Sequence, residues 1–110
     1  MQKKLKDLKC EACSGNTPKL TDQEISDYLM KINNWQLNDN KDMIFKKFIF
    51  KNFREAIKFL NMAGDIAELE NHHFDSSIGY GYCLLFITTH KISALSINDF
   101  ILASKIDLIK

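Results

Sequence analysis

The sequence has almost no surplus of charge. Its 15 Lys and Arg residues stand against 14 Asp and Glu, a formal net charge of +1 over 110 residues. No basic field therefore argues for nucleic acid or an anionic membrane surface. Long apolar runs are missing too. The longest, YCLLFI at 82–87, is far shorter than the roughly 20 residues of a membrane-spanning helix. The basic start MQKKLKDLK has no apolar signal core behind it, so a cytoplasmic location is expected. Cysteine is scarce and odd in number, three in all, which does not suggest a disulfide framework. Repeats, low-complexity blocks, Gly-rich phosphate loops, nucleophile elbows and dinucleotide fingerprints are all lacking. What remains is an ordinary globular composition, 45% hydrophobic and 26% charged, of a length that suits one domain with one core.

Cys83 lies within the apolar run and suits a buried small hydrophobe. Cys10 and Cys13 form CEAC, a spacing that serves zinc or redox chemistry elsewhere. Neither use finds support, because no second C-x-x-C or H-x-x-x-H supplies further ligands and SGNTP follows where a redox pair would open a helix. That stretch, at 14–18, is the one dense cluster of turn residues, and it sets a polar arm, residues 1–20, apart from a domain at 21–110.

Within the domain the hydrophobic period changes from segment to segment. TDQE at 21–24 is a capping box, and Ile25, Tyr28, Leu29 and Ile32 follow at helical spacing, predicting a helix to about residue 32. WQL and MIFKKFIF, separated by NDNKD, predict an antiparallel hairpin. From Asn52, the residues Phe53, Ala56, Ile57, Leu60, Ala63, Gly64 and Ala67 mark one face of a helix running to about residue 70. Phe59, Met62, Ile66 and Leu69 make a second apolar stripe on it. In IGYGYCLLFITT the glycines mark a turn or bulge, and Tyr82–Thr89 is the expected strand. SIND at 96–99 offers a Ser cap with an acid three residues on, opening a closing helix through Leu108. The order predicts an α+β two-layer sandwich, an antiparallel sheet covered on one side by helices.

The chain has three histidines: His72 and His73 just past the second helix, and His90 at the end of the last strand. Ends of elements are where side chains converge on a ligand without breaking a core. Solvated polar residues, a metal site and an acid/base site all remain open here. Adjacent residues diverge by roughly 100° on a helix and point to opposite faces on a strand, so His72 and His73 do not suit joint ligation of one ion. No H-x-H or H-E-x-x-H spacing occurs. Acid/base chemistry needs no fixed spacing, only groups that titrate near neutrality, as imidazole does.

Glu68, LEN, His72, His73, Phe74, then Tyr80, nine residues, His90 and later Asp99 resemble the active-site pattern of the pterin-4a-carbinolamine dehydratase family. NNWQL, MIFKKFIFKNFREAIKFL and DFILASKID are similar to that family's tryptophan hairpin, long helix and last helix. CEACSGNTPKLT resembles the leader of its bacterial-type members. The likeness runs from about Thr21 to the C-terminus. One departure is Phe74, where the family usually has a proline that would hold His73 extended.

The resemblance implies dehydration of a 4a-hydroxytetrahydropterin left by aromatic amino acid hydroxylases, giving quinonoid dihydropterin and water with no metal or organic cofactor. It implies proton transfer by His72 and His90 and substrate orientation by His73. Glu68 and Asp99 would hold imidazoles in one state. Trp35 would form an aromatic wall, although its residues alone suggest a core tryptophan. Backbone near Phe74 and Thr89 would bond the pterin's polar edge. A helix with two apolar stripes can bury only one on its own sheet, so a homo-oligomer, dimer or tetramer, is expected through Phe59, Met62, Ile66 and Leu69. Some members of the family also act as dimerisation cofactors for a homeodomain transcription factor through helix surface, which is the alternative function for this chain.

Overall fold

The computed structural model describes residues 4–11 and 14–110. Helix α1 spans Asp22–Leu29 and opens on the TDQE box: the Thr21 hydroxyl accepts the Glu24 amide at 3.1 Å, and the Glu24 carboxylate accepts the Thr21 amide at 2.9 Å. It stops three residues short of the predicted end, because Met30 closes it and Lys31 and Ile32 continue only in single turns. Strands β1, Gln36–Leu37, and β2, Ile44–Ile49, form the predicted hairpin. Helix α2 spans Phe53–Glu70, capped by the Asn52 side chain on the Glu55 amide. Strands β3, Asp75–Gly79, and β4, Tyr82–Ile87, make a second hairpin. Its turn passes through Gly81 at φ +83°, a left-handed conformation that favours glycine. Helix α3 spans Ile97–Ile106.

Among the described residues the four strands form one antiparallel sheet in the order β1-β2-β4-β3. Alternation along β4 sets its faces: Cys83, Leu85 and Ile87 are buried, and Tyr82, Leu84 and Phe86 between them are half-buried. The buried face meets α2 and α3 around Ile44, Phe48, Leu85, Phe100 and Ile101. This is the expected α+β arrangement. No helix among the described residues is long and apolar enough to cross a membrane.

Two expectations need correction. The buried side of α2 is Ala56, Phe59, Ala63 and Ala67, a face lying between the two predicted stripes. Small residues let the helix approach the sheet, and Phe59 reaches down from the edge of that face. Its ring stands 4.4 Å from Phe48 and 5.1 Å from Phe50. Phe59 and Ile66 therefore pack inside the chain, while Met62 and Leu69 stay exposed, as do Phe53 and Ile57 from the other stripe. The strand region also starts earlier than predicted. Asp75–Ser77 pair with β4 as an edge strand but are solvent-exposed and polar, so they carry no apolar signature.

Residues 4–11 lie against the body. Leu5 is buried beside α3, and Cys10 and Glu11 bond to Glu70 and Asn98. Cys13 lies outside the described residues.

Candidate active site

Two helix ends build the site. At the C-terminus of α2, Asn71 adopts φ 52°, the left-handed region that Asn tolerates better than most side chains. The Asn71 amide donates to the Glu68 carbonyl at 3.3 Å and the His72 amide to the Ala67 carbonyl at 3.2 Å, the crossed pair of a Schellman motif. This turn reverses the chain and sends the His72 side chain inward. At the N-terminus of α3, the Ser96 hydroxyl accepts the Asn98 amide at 3.3 Å, and Asp99 accepts the Ser96 amide through Oδ2 at 2.9 Å. The capping box thereby fixes the Asp99 rotamer and leaves Oδ1 for another donor. That donor is His72, whose Nε2 lies 2.7 Å away.

Both partners are buried, His72 at 6% exposure and Asp99 at 0%. The Thr89 hydroxyl donates to Asp99 Oδ2 at 2.8 Å. A threonine hydroxyl has one proton, so the 2.8 Å contact between Thr89 and Ser96 must run from the Ser96 hydroxyl to Thr89. With Asp99 as acceptor, the same accounting places a proton on His72 Nε2. In the neutral ring the lone pair is then on Nδ1. A tautomer is thus selected by a network that the helix cap holds still.

The other two histidines are exposed. His73 Nε2 stands 3.3 Å from Glu68 Oε1, and His90 Nε2 3.8 Å from Asp75 Oδ2. Sheet register explains why all three meet at one end of the molecule. Asp75 pairs with Phe86, which brings the 72–75 segment alongside the end of β4, where Thr89 and His90 follow. The Thr89 backbone is already engaged, its amide on the Ala94 carbonyl and its carbonyl on the Ile92 amide. Thr89 reaches the site through its hydroxyl. Phe74 is half-buried against the core.

Trp35 is placed elsewhere. It is 6% exposed, meets Phe48 edge-on, and donates through Nε1 to Asp107 Oδ1 at 3.0 Å. Asp107 also takes the Lys46 ammonium at 2.8 Å. These partners lie at the C-terminal end of α3, and Asp99 lies at its N-terminal end, so within one chain Trp35 does not join the histidines. The roles of Asp75 and the Thr89 and Ser96 hydroxyls escaped sequence reasoning. Only the Ser cap in SIND hinted at the last. Among the described residues no group of three or more His, Cys, Asp and Glu side chains is arranged to hold a metal ion.

The chain matches one family model, Pterin 4 alpha carbinolamine dehydratase, over residues 18–109. The chain belongs to the pterin 4 alpha carbinolamine dehydratase family. Bacterial relatives carry that enzyme's name provisionally. One from Halorhodospira halophila is 41% identical over 103 residues, covering 94% of each chain. One from Methylococcus capsulatus is 42% identical over 98 residues, covering 89% of this chain and 86% of its own. A crystal structure of a transcriptional coactivator/pterin dehydratase from Brucella melitensis superposes with a TM-score of 0.79 at 28% identity, covering 84% of this chain and 98% of that one. A pterin dehydratase-like RuBisCO assembly factor of the alpha-carboxysome shares the fold at a TM-score of 0.60, 18% identity, and 70% and 89% coverage. The family match, residues 18–109, takes in α1, α2, α3 and all four strands of the sheet.

Proposed function

We propose that the protein dehydrates a pterin-4a-carbinolamine such as 4a-hydroxytetrahydrobiopterin, recycling the pterin used by aromatic amino acid hydroxylases. The observation that carries this is the buried 2.7 Å contact between His72 and Asp99. Loss of water requires a proton delivered to the C4a hydroxyl and a proton removed from N5, leaving quinonoid dihydropterin. His72, with its Nε2 proton held by Asp99, presents Nδ1 as the base. His90 acts as the acid, with the Asp75 carboxylate 3.8 Å from its Nε2. His73, steadied by Glu68, orients the substrate, and Phe74 and Thr89 border the same end of the sheet. The reaction so written uses side chains alone, each positioned group contributing about 10²–10⁴-fold. A cytoplasmic location suits it.

The test is stopped-flow dehydration of the carbinolamine. His72→Ala and His90→Ala should each lower kcat at least about tenfold, and His73→Ala should act mainly on KM. A folded His72→Ala/His90→Ala double variant with wild-type turnover would refute the acid/base assignment.

Assembly forms part of the same reading. Met62 at 45% and Leu69 at 84% exposure leave apolar surface on the outer side of α2, which a second copy would cover in a dimer or tetramer. The same surface favours a second reading, a binding module for another protein, in line with the coactivator description of the Brucella relative. That reading predicts full binding competence in the double histidine variant.

A further inference from the structure

We propose that the N-terminal arm is a positioning element for the His72–Asp99 pair, with Cys10 and Glu11 as the residues that do it. This rests on the reading of that pair given above, and it concerns residues upstream of the family match, which begins at residue 18. The Cys10 amide donates to Glu70 Oε1 at 2.8 Å, and the Cys10 thiol to the Asn98 carbonyl at 3.4 Å. The Glu11 amide donates to Asn98 Oδ1 at 3.0 Å, and Asn98 Nδ2 returns a bond to the Glu11 carbonyl at 2.8 Å. Glu70 stands two residues before His72, and Asn98 immediately before Asp99. Two consecutive arm residues therefore strap together the helix ends that carry the two members of the pair.

The strap acts at the end of α3 that carries Asp99. Glu70 also binds Lys105 at 3.0 Å, but Lys105 lies six residues beyond Asp99, about 9 Å along α3. That ion pair fixes the helices at a distance from the site, and the arm fixes them at it. The attachments are built into the interior. Asn98 is 2% exposed and the Glu70 side chain 8%. Burial, and then the neighbouring Glu70 charge, push the Cys10 thiol up to about 12, so Cys10 serves as a neutral donor in the strap. A hydrogen bond of 2.7 Å from His72, just past the end of α2, to Asp99 on α3 has little tolerance for drift between the two helix ends. Releasing the strap lets the ends part and lengthens that bond while both helices stay folded.

The experiment uses the full chain with Asn98→Ala, which removes both side-chain bonds to Glu11, and Glu11→Pro, which deletes one donor and leaves both helices unaltered. Exchange of the His72 Nε2 proton with water, followed by NMR, should speed up at least about tenfold in each. The kcat for dehydration should fall about tenfold, part of the ~10²-fold that a 1 Å misplacement can cost, with KM within about twofold of wild type. In a His72→Ala background the same substitutions should change kcat by less than about twofold, because the arm then has nothing to position. An unchanged His72 proton in either folded variant overturns the proposal. So does an equal kcat loss with and without His72, which would show a structural role only. If the protein proves to have no dehydratase activity, the exchange measurement still decides, so the two failures are distinguishable. If Asn98→Ala does not fold, Glu11→Pro carries the same measurement.

Discussion

Replacing Asp99 separates the structural work of the cap from the chemistry of the site. The buried carboxylate accepts from His72 Nε2 at 2.7 Å, the Thr89 hydroxyl at 2.8 Å and the Ser96 amide at 2.9 Å. Asp99→Ala strands all three donors away from water. Each stranded group costs about 1–3 kcal/mol, and the loss of the N-terminal cap about 1 kcal/mol within that total, so the expected destabilisation is about 3–9 kcal/mol. For a domain whose whole stability is about 5–15 kcal/mol, that is enough to lower the denaturant midpoint severely.

Asp99→Asn should behave differently. Its amide oxygen can occupy the Oδ2 position and keep the Thr89 and Ser96 donors, preserving the cap at a cost of about 1–2 kcal/mol for the lost charge-assisted bonds. Its amide nitrogen then faces His72 Nε2, and two donors cannot bond. The ring escapes by moving its proton to Nδ1, which removes the lone pair assigned as the base. Turnover should fall by about 10²-fold or more while the fold survives, because one positioned acid/base group is removed. Urea unfolding, ¹⁵N shifts of the His72 ring and stopped-flow dehydration read the three effects. An Asp99→Asn protein with wild-type turnover and the Nδ1–H tautomer would refute the reasoning. So would an Asp99→Ala protein within about 1 kcal/mol of wild type.

Asn71→Gly should leave stability within about 0.5 kcal/mol, whereas Asn71→Val should cost about 1–2 kcal/mol in a thermal melt, since a β-branched side chain resists φ 52°. The Cys10 thiol at about 12 should alkylate with iodoacetamide at pH 8 roughly 10³-fold more slowly than a free cysteine of ordinary pKa. Site-resolved mass spectrometry distinguishes it from Cys13, and rapid labelling of Cys10 in folded protein would contradict its placement. Burial alone would raise the Glu70 carboxyl, but the Cys10 amide and the Lys105 ammonium hold it below the ordinary 4.5. A depressed carboxyl contributes stability above its unfolded value, so Glu70→Gln should destabilise at neutral pH, and the difference should vanish as pH falls through the lowered folded value. Met62→Asp/Leu69→Asp should shift a dimer or tetramer toward monomer by light scattering; a wild type that is already monomeric at micromolar concentration would count against the assembly.

Local signals were the legible ones. TDQE and SIND announce two helix starts because capping is decided within four residues, and both boxes are present. The long helix was visible because its apolar spacing persists for eighteen residues, Phe53–Glu70. Its buried face was not, because an α-helix with apolar residues over more than half its circumference leaves the choice to the sheet it meets. Phe59 entered the core on that account, and Ile57 did not. The edge strand at Asp75–Ser77 was hidden for the opposite reason: pairing to β4 needs only backbone, and its side chains point to water. The histidines could be placed at element ends from sequence alone, but their pairing could not. The partner of His72 lies 27 residues away and that of His73 only five, and nothing local separates one kind from the other.

Sharing one carboxylate between a helix cap and a histidine has a consequence for how the site can change. Ser96, Thr89 and Asp99 satisfy one another with no buried side-chain polar atom among the described residues left unpaired. A substitution that retunes Asp99 toward His72 therefore also alters the start of α3. Exposed Glu68 and Asp75, each facing a histidine and bound by no such network, can vary with little cost to folding. Differences in substrate preference between relatives of this chain should accordingly reside at those two positions and at Phe74. Exchanging Glu68 for Gln, or Asp75 for Asn, should change the kcat or KM of dehydration with the melting temperature within about 2 °C of wild type. A loss of stability as large as that of Asp99→Ala would show that the outer carboxylates are structural after all.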